Sequence, residues 1–132
     1  MGTFPRFVAA WGAGILVFDA AASVTSLLTG LPYVWFTVGS VAIYLGAGYN
    51  GAPRFGLKMA VLATIFVALI DATLGWGLSW LIGPGQVQEP DVPTAALVLS
   101  GAIGALIIGG VAGLIGGWAG LKRQPQQPVP EP

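Results

Sequence analysis

Apolar residues run along this chain in four long stretches, covering about residues 7–28, 32–49, 57–82 and 95–121. An α-helix needs about 20 mostly apolar residues to cross the hydrocarbon core of a bilayer, and each stretch is near or above that length. Between them lie Thr29-Gly30-Leu31-Pro32, Asn50-Gly51-Ala52-Pro53-Arg54, and a Gly83-Pro84-Gly85 cluster that runs on to Pro93. Glycine and proline clusters of this kind are where helices stop. Polar and apolar residues do not alternate within the stretches, so the pattern does not fit a closed β-barrel, the other architecture that satisfies its backbone in lipid. The expectation is an all-α membrane protein. A four-transmembrane-helix bundle forms a single domain over residues 1–123, followed by a Pro/Gln-rich tail, 124–132, of disordered, polyproline-like character.

Composition agrees with a chain solvated by lipid. Of 132 residues, 55% are hydrophobic and 8% charged, against about 25% charged in ordinary soluble domains. The mean hydropathy is +0.83. Such a chain cannot cover a water-soluble surface, and its hydrophobicity is the opposite of the signature of disorder. Cysteine and histidine are absent. Disulfides, thiolate ligands, thiol nucleophiles and the commonest general base and metal ligand are thereby removed. No catalytic residue, metal or cofactor is expected, and an enzyme is not the expectation. A net charge of zero gives no long-range attraction to nucleic acid.

The few basic residues predict an orientation. Arg6 precedes the first stretch, Arg54 and Lys58 flank the second turn, and Lys122 and Arg123 follow the fourth stretch. All five fall on one side of a four-span arrangement. The positive-inside rule then puts both termini in the cytoplasm, in a multi-pass protein of the cell membrane. Aromatic residues form two bands that fit the boundaries: Phe4, Phe7, Trp11, Tyr49, Phe55 and Trp118 at the inner interface, Tyr33, Trp35 and Trp80 at the outer. Arg6, the apolar run after it and Ala20-Ala21-Ala22 also have the form of a secretory signal. An internal similarity argues against that alternative.

The first and third stretches share a pattern. Phe18-Asp19-Ala20 followed by Ser26-Leu27-Leu28-Thr29-Gly30 matches Ile70-Asp71-Ala72 followed by Ser79-Trp80-Leu81-Ile82-Gly83. The second and fourth both end in glycine, an aromatic residue, a second glycine and arginine: Gly48-Tyr49-Asn50-Gly51-Ala52-Pro53-Arg54 and Gly117-Trp118-Ala119-Gly120-Leu121-Lys122-Arg123. The implied unit is a hairpin, an Asp-bearing helix out and a Gly-rich helix back. Two of them, 7–54 and 57–123, form a parallel repeat about an axis along the membrane normal.

Asp19 and Asp71 are the ionisable residues well inside the stretches. At 1.5 Å per residue each lies roughly 18 to 21 Å from the inner end of its helix, near the middle of a core about 30 Å thick. A charge there costs several kcal/mol. With no in-span Lys, Arg or His beside them, the two must be protonated, hydrogen-bonded, hydrated or neutralised by a cation. Helical spacing lines up Ser23 and Ser26 beyond Asp19, and Gly75 and Ser79 beyond Asp71, with Thr73 nearby. A possible ion or proton site therefore comprises Asp19, Asp71, Ser23, Ser26, Thr73 and Ser79. The competing reading is that each carboxyl holds helices together by hydrogen bonding, worth about 0.6 to 2 kcal/mol.

Gly101, Ala105, Gly109, Gly113 and Gly117 recur at steps of four in the last stretch. Small residues let helix backbones approach closely where lipid removes the hydrophobic drive, so this stripe is a helix-packing interface, between hairpins or between subunits. The architecture is similar to that of small multidrug-resistance transporters in its four spans and first-span carboxylate, but it has Asp for Glu, a second carboxylate and a marked charge bias. Rotor-ring subunits place the Gly-rich helix first in the hairpin, where here it comes second. Neither likeness carries residues over. The expected function is that of a structural or accessory membrane subunit with Asp19 and Asp71 as intramembrane hydrogen-bonding residues. The alternative is a small transporter or channel component whose Asp pair binds a proton or cation. Expected partners are the lipid bilayer and either further copies of the chain or a larger membrane complex.

Overall fold

The structure, a computed structural model, describes residues 3–86 and 94–123; the expectations for Glu89, Asp91 and the 124–132 tail lie outside these residues. The described chain is helical, without strands. Helix α1 spans Phe4–Thr29 with a proline in its first turn, where the missing N–H would have had no helical partner. It ends at Gly30, whose left-handed backbone (φ 73°) lets its N–H reach the Ser26 carbonyl. A 3-10 turn, Tyr33–Phe36, leads into α2, Thr37–Phe55. Next come α3, Leu57–Ile70, a π turn, Asp71–Gly75, and α4, Trp76–Ile82, which together form one helical segment. After a 3-10 turn at Pro84–Gln86, α5 runs over Thr94–Lys122.

The expected break at Asn50–Arg54 is overturned. Helix α2 continues through it with Pro53 inside, and the chain turns at Gly56, φ 84°. Two features, one within α2 and one tertiary, accompany that continuation. The Asn50 side-chain amide donates to the Gly46 carbonyl at 2.8 Å. Pro53 has no N–H for the Tyr49 carbonyl, and that carbonyl instead meets the bare Cα face of Gly120 on α5.

Three helical segments are long and apolar enough to cross a membrane: Phe4–Thr29, Leu57–Ile82 and Val98–Lys122. Helix α2, with 19 residues that include Asn50 and Arg54, is the least apolar of the long helices. Outward-facing side chains on α5, among them Leu99, Ile103, Ile107, Val111 and Ile115, present an apolar surface. That suits a face bathed in acyl chains.

Helix α5 lies along both α2 and α3, which also pack on each other, whereas α1 rests mainly on the Leu57–Ile82 segment and touches α2 sparsely. The glycine stripe explains the closeness of α5. A Cβ on Gly109 would stand 2.7 Å from the Ala68 Cβ, and one on Gly113 3.0 Å from the Val61 Cα. On the neighbouring face, a Cβ on Gly116 or Gly120 would overlap the carbonyl oxygens of Leu45 and Tyr49 in α2. Gly109, Gly113 and Gly117 thus lie against α3 within the chain, which is the packing between helices that the stripe predicts. Ala105 is buried, but Gly101 has open space around it and takes no part in the packing.

The basic side chains gather at one end. Arg6 and Arg54 line a common cavity. The Arg123 guanidinium lies 5.8 Å from the Tyr49 ring centre, and the Lys122 ammonium sits 3.4 Å over Trp118.

Candidate functional site

Asp19 enters the helix interface from the middle of α1 and is 1% exposed. Asp71 enters from the start of the π turn, where the Trp76 N–H reaches back five residues to the Asp71 carbonyl. Such turns insert locally into an α-helix and recur at functional sites. The two carboxyls meet above Gly75. A Cβ on Gly75 would overlap Asp19 Oδ2 and stand 3.1 Å from Asp71 Oδ1, so the site has room for both carboxyls because position 75 has no side chain.

Each carboxyl is served by one phenol. The Tyr33 hydroxyl donates to Asp19 Oδ1 at 3.4 Å. The Tyr44 hydroxyl donates to Asp71 Oδ2 in a short contact. Asp19 Oδ2 is then left buried without a protein hydrogen-bond donor. Among the described residues the carboxyl-bearing ones are these two alone, and no group of three or more His, Cys, Asp or Glu gathers as a metal cluster.

The serines expected beside the carboxyls are buried there. Ser23 and Ser79 are fully buried, and neither hydroxyl has a protein hydrogen-bond partner. Ser23 comes alongside the Tyr33 hydroxyl without hydrogen-bond geometry. Ser26, further out, donates to the Leu31 carbonyl at 2.7 Å. Thr73 does not join them. It is exposed, and its hydroxyl donates to the Leu69 carbonyl on the outward face of the helix. One turn of helix between Asp71 and Gly75 carries it round to that side.

A cavity of about 300 Å³ opens beside Asp71, lined by Tyr33, Ser40, Tyr44 and Asp71 and floored by Gly101 and Gly104 of α5. Asp71 is half-buried where Asp19 is sealed, so Asp71 is the member of the pair that small solutes reach first.

Tyr33, Tyr44 and Gly75 were not in the site expected from spacing. Tyr33 read as part of an interfacial band, and Gly75 read only as a small residue on the Asp71 face. Tyr44 carried a usable signal: a phenol within an apolar stretch has to find a hydrogen-bond partner when buried. The chain matches no family model, no curated protein and no solved structure.

Proposed function

We propose that this chain is a small multi-pass membrane protein that takes up a proton or a small cation between Asp19 and Asp71, as a component of a transporter or channel. The observation that carries the proposal is the convergence of two intramembrane carboxyls over Gly75, each hydrogen-bonded by a phenol and neither paired with a cationic side chain. Two carboxylates in contact repel unless a proton or metal ion lies between them. An intramembrane ionisable residue is by default a functional one. Tyr33 and Tyr44 each occupy one oxygen and orient the other toward the shared point. The buried hydroxyls of Ser23 and Ser79 supply further oxygen ligands or proton relays outward, and the cavity beside Asp71 supplies access. Catalysis forms no part of this function.

Two further elements of the proposal concern topology. All five basic residues face the cytoplasm, with both termini, and α2 completes four spans. The Asp-bearing helices derive from a duplicated hairpin. In support, both end in the same way: Gly30 donates to the Ser26 carbonyl, and Gly83, also at positive φ, donates to the Ser79 carbonyl. The offset between the two helices grows from 52 at the aspartates to 53 at these serines, and the π turn lies between them, where it absorbs one extra residue.

The structural reading keeps one specific observation in its favour. The phenol–carboxyl bonds tie the Tyr33–Phe36 turn to α1 and the middle of α2 to the π turn, which is what a fastening would do. Purified protein in liposomes separates the two. Proton- or cation-selective flux that falls at least about tenfold in Asp19→Asn with Asp71→Asn, while thermal stability is kept, is the expected result. A parent protein without flux, whose double variant loses its folded or associated state, would refute the proposal in favour of fastening.

A further inference from the structure

At the basic end, α1 and α2 stand apart and enclose a cavity of about 950 Å³, lined by Arg6, Phe7, Trp11, Asn50, Arg54 and Phe55, among others. Its chemistry is divided. Arg6 and Arg54 bring two guanidiniums to one opening, and the described residues at this end offer no carboxylate to balance them, since Asp19 and Asp71 lie mid-helix. Asn50 adds an amide. Arginine is the side chain best suited to bidentate binding of phosphate. The rest of the lining is apolar, with three aromatic rings, Phe7, Trp11 and Phe55, and the Arg54 guanidinium lies 5.9 Å from the Phe7 ring centre.

The cavity has a continuation. A second hollow of about 220 Å³, lined by Ala10, Trp11, Gly14 and Ile43, shares Ala10 and Trp11 with the first and extends along α1 and α2 toward the middle of the bundle. Its walls are apolar, and Gly14 has no atom within 4 Å of where a side chain would begin. The sparse packing of α1 on α2 keeps this groove open: Trp11 lies over Gly46 and Phe18 over Gly39, so aromatic rings prop the two helices apart.

A cationic mouth with an apolar groove leading away from it matches one class of molecule in shape and charge. We infer that this groove binds an anionic phospholipid, its phosphate between Arg6 and Arg54 and one acyl chain along Ala10, Trp11, Gly14 and Ile43. Basic pockets between membrane helices recognise anionic headgroups by this chemistry. The bound lipid offsets one of the two positive charges and fills the seam that α1 and α2 leave, so it acts as a structural part of the bundle.

Native mass spectrometry of the full chain, released from detergent after exposure to equimolar phosphatidylglycerol and phosphatidylcholine of identical acyl chains, tests this. One retained phosphatidylglycerol, favoured about tenfold, is expected; a tenfold preference is about 1.4 kcal/mol. Arg6→Gln with Arg54→Gln should abolish the preference, while Lys122→Gln with Arg123→Gln should leave it unchanged. Gly14→Leu, which fills the tail groove and keeps both charges, should weaken retention of the lipid. Preference that survives the Arg6/Arg54 change, or that falls equally with Lys122 and Arg123, would overturn the inference in favour of diffuse attraction. Displacement of the lipid by excess inorganic phosphate, with Gly14→Leu behaving as the parent, would overturn it in favour of a site for a free anion.

Discussion

Gly75 decides whether two carboxyls can share one point. Gly75→Ala places a methyl group on Asp19 Oδ2 and crowds Asp71 Oδ1, and overpacking of a buried site costs about 1 to 3 kcal/mol. Two residues on, Gly77 faces open space, so Gly77→Ala should be neutral or stabilising by up to about 1 kcal/mol. Melting of the two variants in detergent checks this contrast, and flux should fall in Gly75→Ala alone. Tyr44→Phe keeps the ring and removes the donor to Asp71 Oδ2. Leaving a buried acceptor short of a donor costs about 1 to 3 kcal/mol. If the proposed uptake holds, the apparent affinity for the proton or cation shifts at least about fivefold, read as the midpoint of flux against its concentration. The carboxyls themselves were legible in the sequence, because an Asp in an apolar run stands out. The phenols that complete the site were not. Helical periodicity orders residues along one helix and is silent on which neighbour a side chain meets, and Tyr33 and Tyr44 reach the carboxyls from a different part of the chain.

Among the elements, α5 is held closest. The carbonyl oxygens of Leu45 and Tyr49 occupy the space where side chains at Gly116 and Gly120 would project. A backbone carbonyl cannot rotate aside as a side chain does, so Gly116→Ala or Gly120→Ala must push α5 off α2. Each should destabilise the fold by several kcal/mol, whereas Gly101→Ala, with open space around it, should melt with the parent; thermal denaturation in detergent measures both. Spacing alone named Gly101 with Gly109, Gly113 and Gly117, since a four-residue step marks a face without saying how far a neighbour extends along it. The boundaries of α1 and of the 57–82 segment were readable because glycine at positive φ ends each. The end of α2 was misjudged for a related reason: Pro53 reads as a stop, yet close approach of Gly120 to the Tyr49 carbonyl accommodates it, and that contact is tertiary.

For the whole molecule, lipid is the solvent that the composition requires, and that much was plain from hydropathy. Orientation is tested simply because the chain has no cysteine. Single substitutions Lys122→Cys and Leu31→Cys, treated with a membrane-impermeant maleimide in intact cells and in inverted vesicles, should react from opposite sides, Leu31→Cys from outside. Reaction of both from one side would remove the proposed topology.

The uneven seating of α1 bears on how the protein is made. Helices α2, α3 and α5 contact one another throughout, while α1 leans on the Leu57–Ile82 segment, which emerges from the ribosome after it. Helix α1 consequently waits in the assembly, docking only once its later partner has arrived. Since it brings Asp19, the two carboxyls can meet only after that docking. Synthesised as two pieces split between Gly30 and Tyr33, the chain should reunite into one particle, and the larger piece alone should hold its shape while lacking the paired carboxyls.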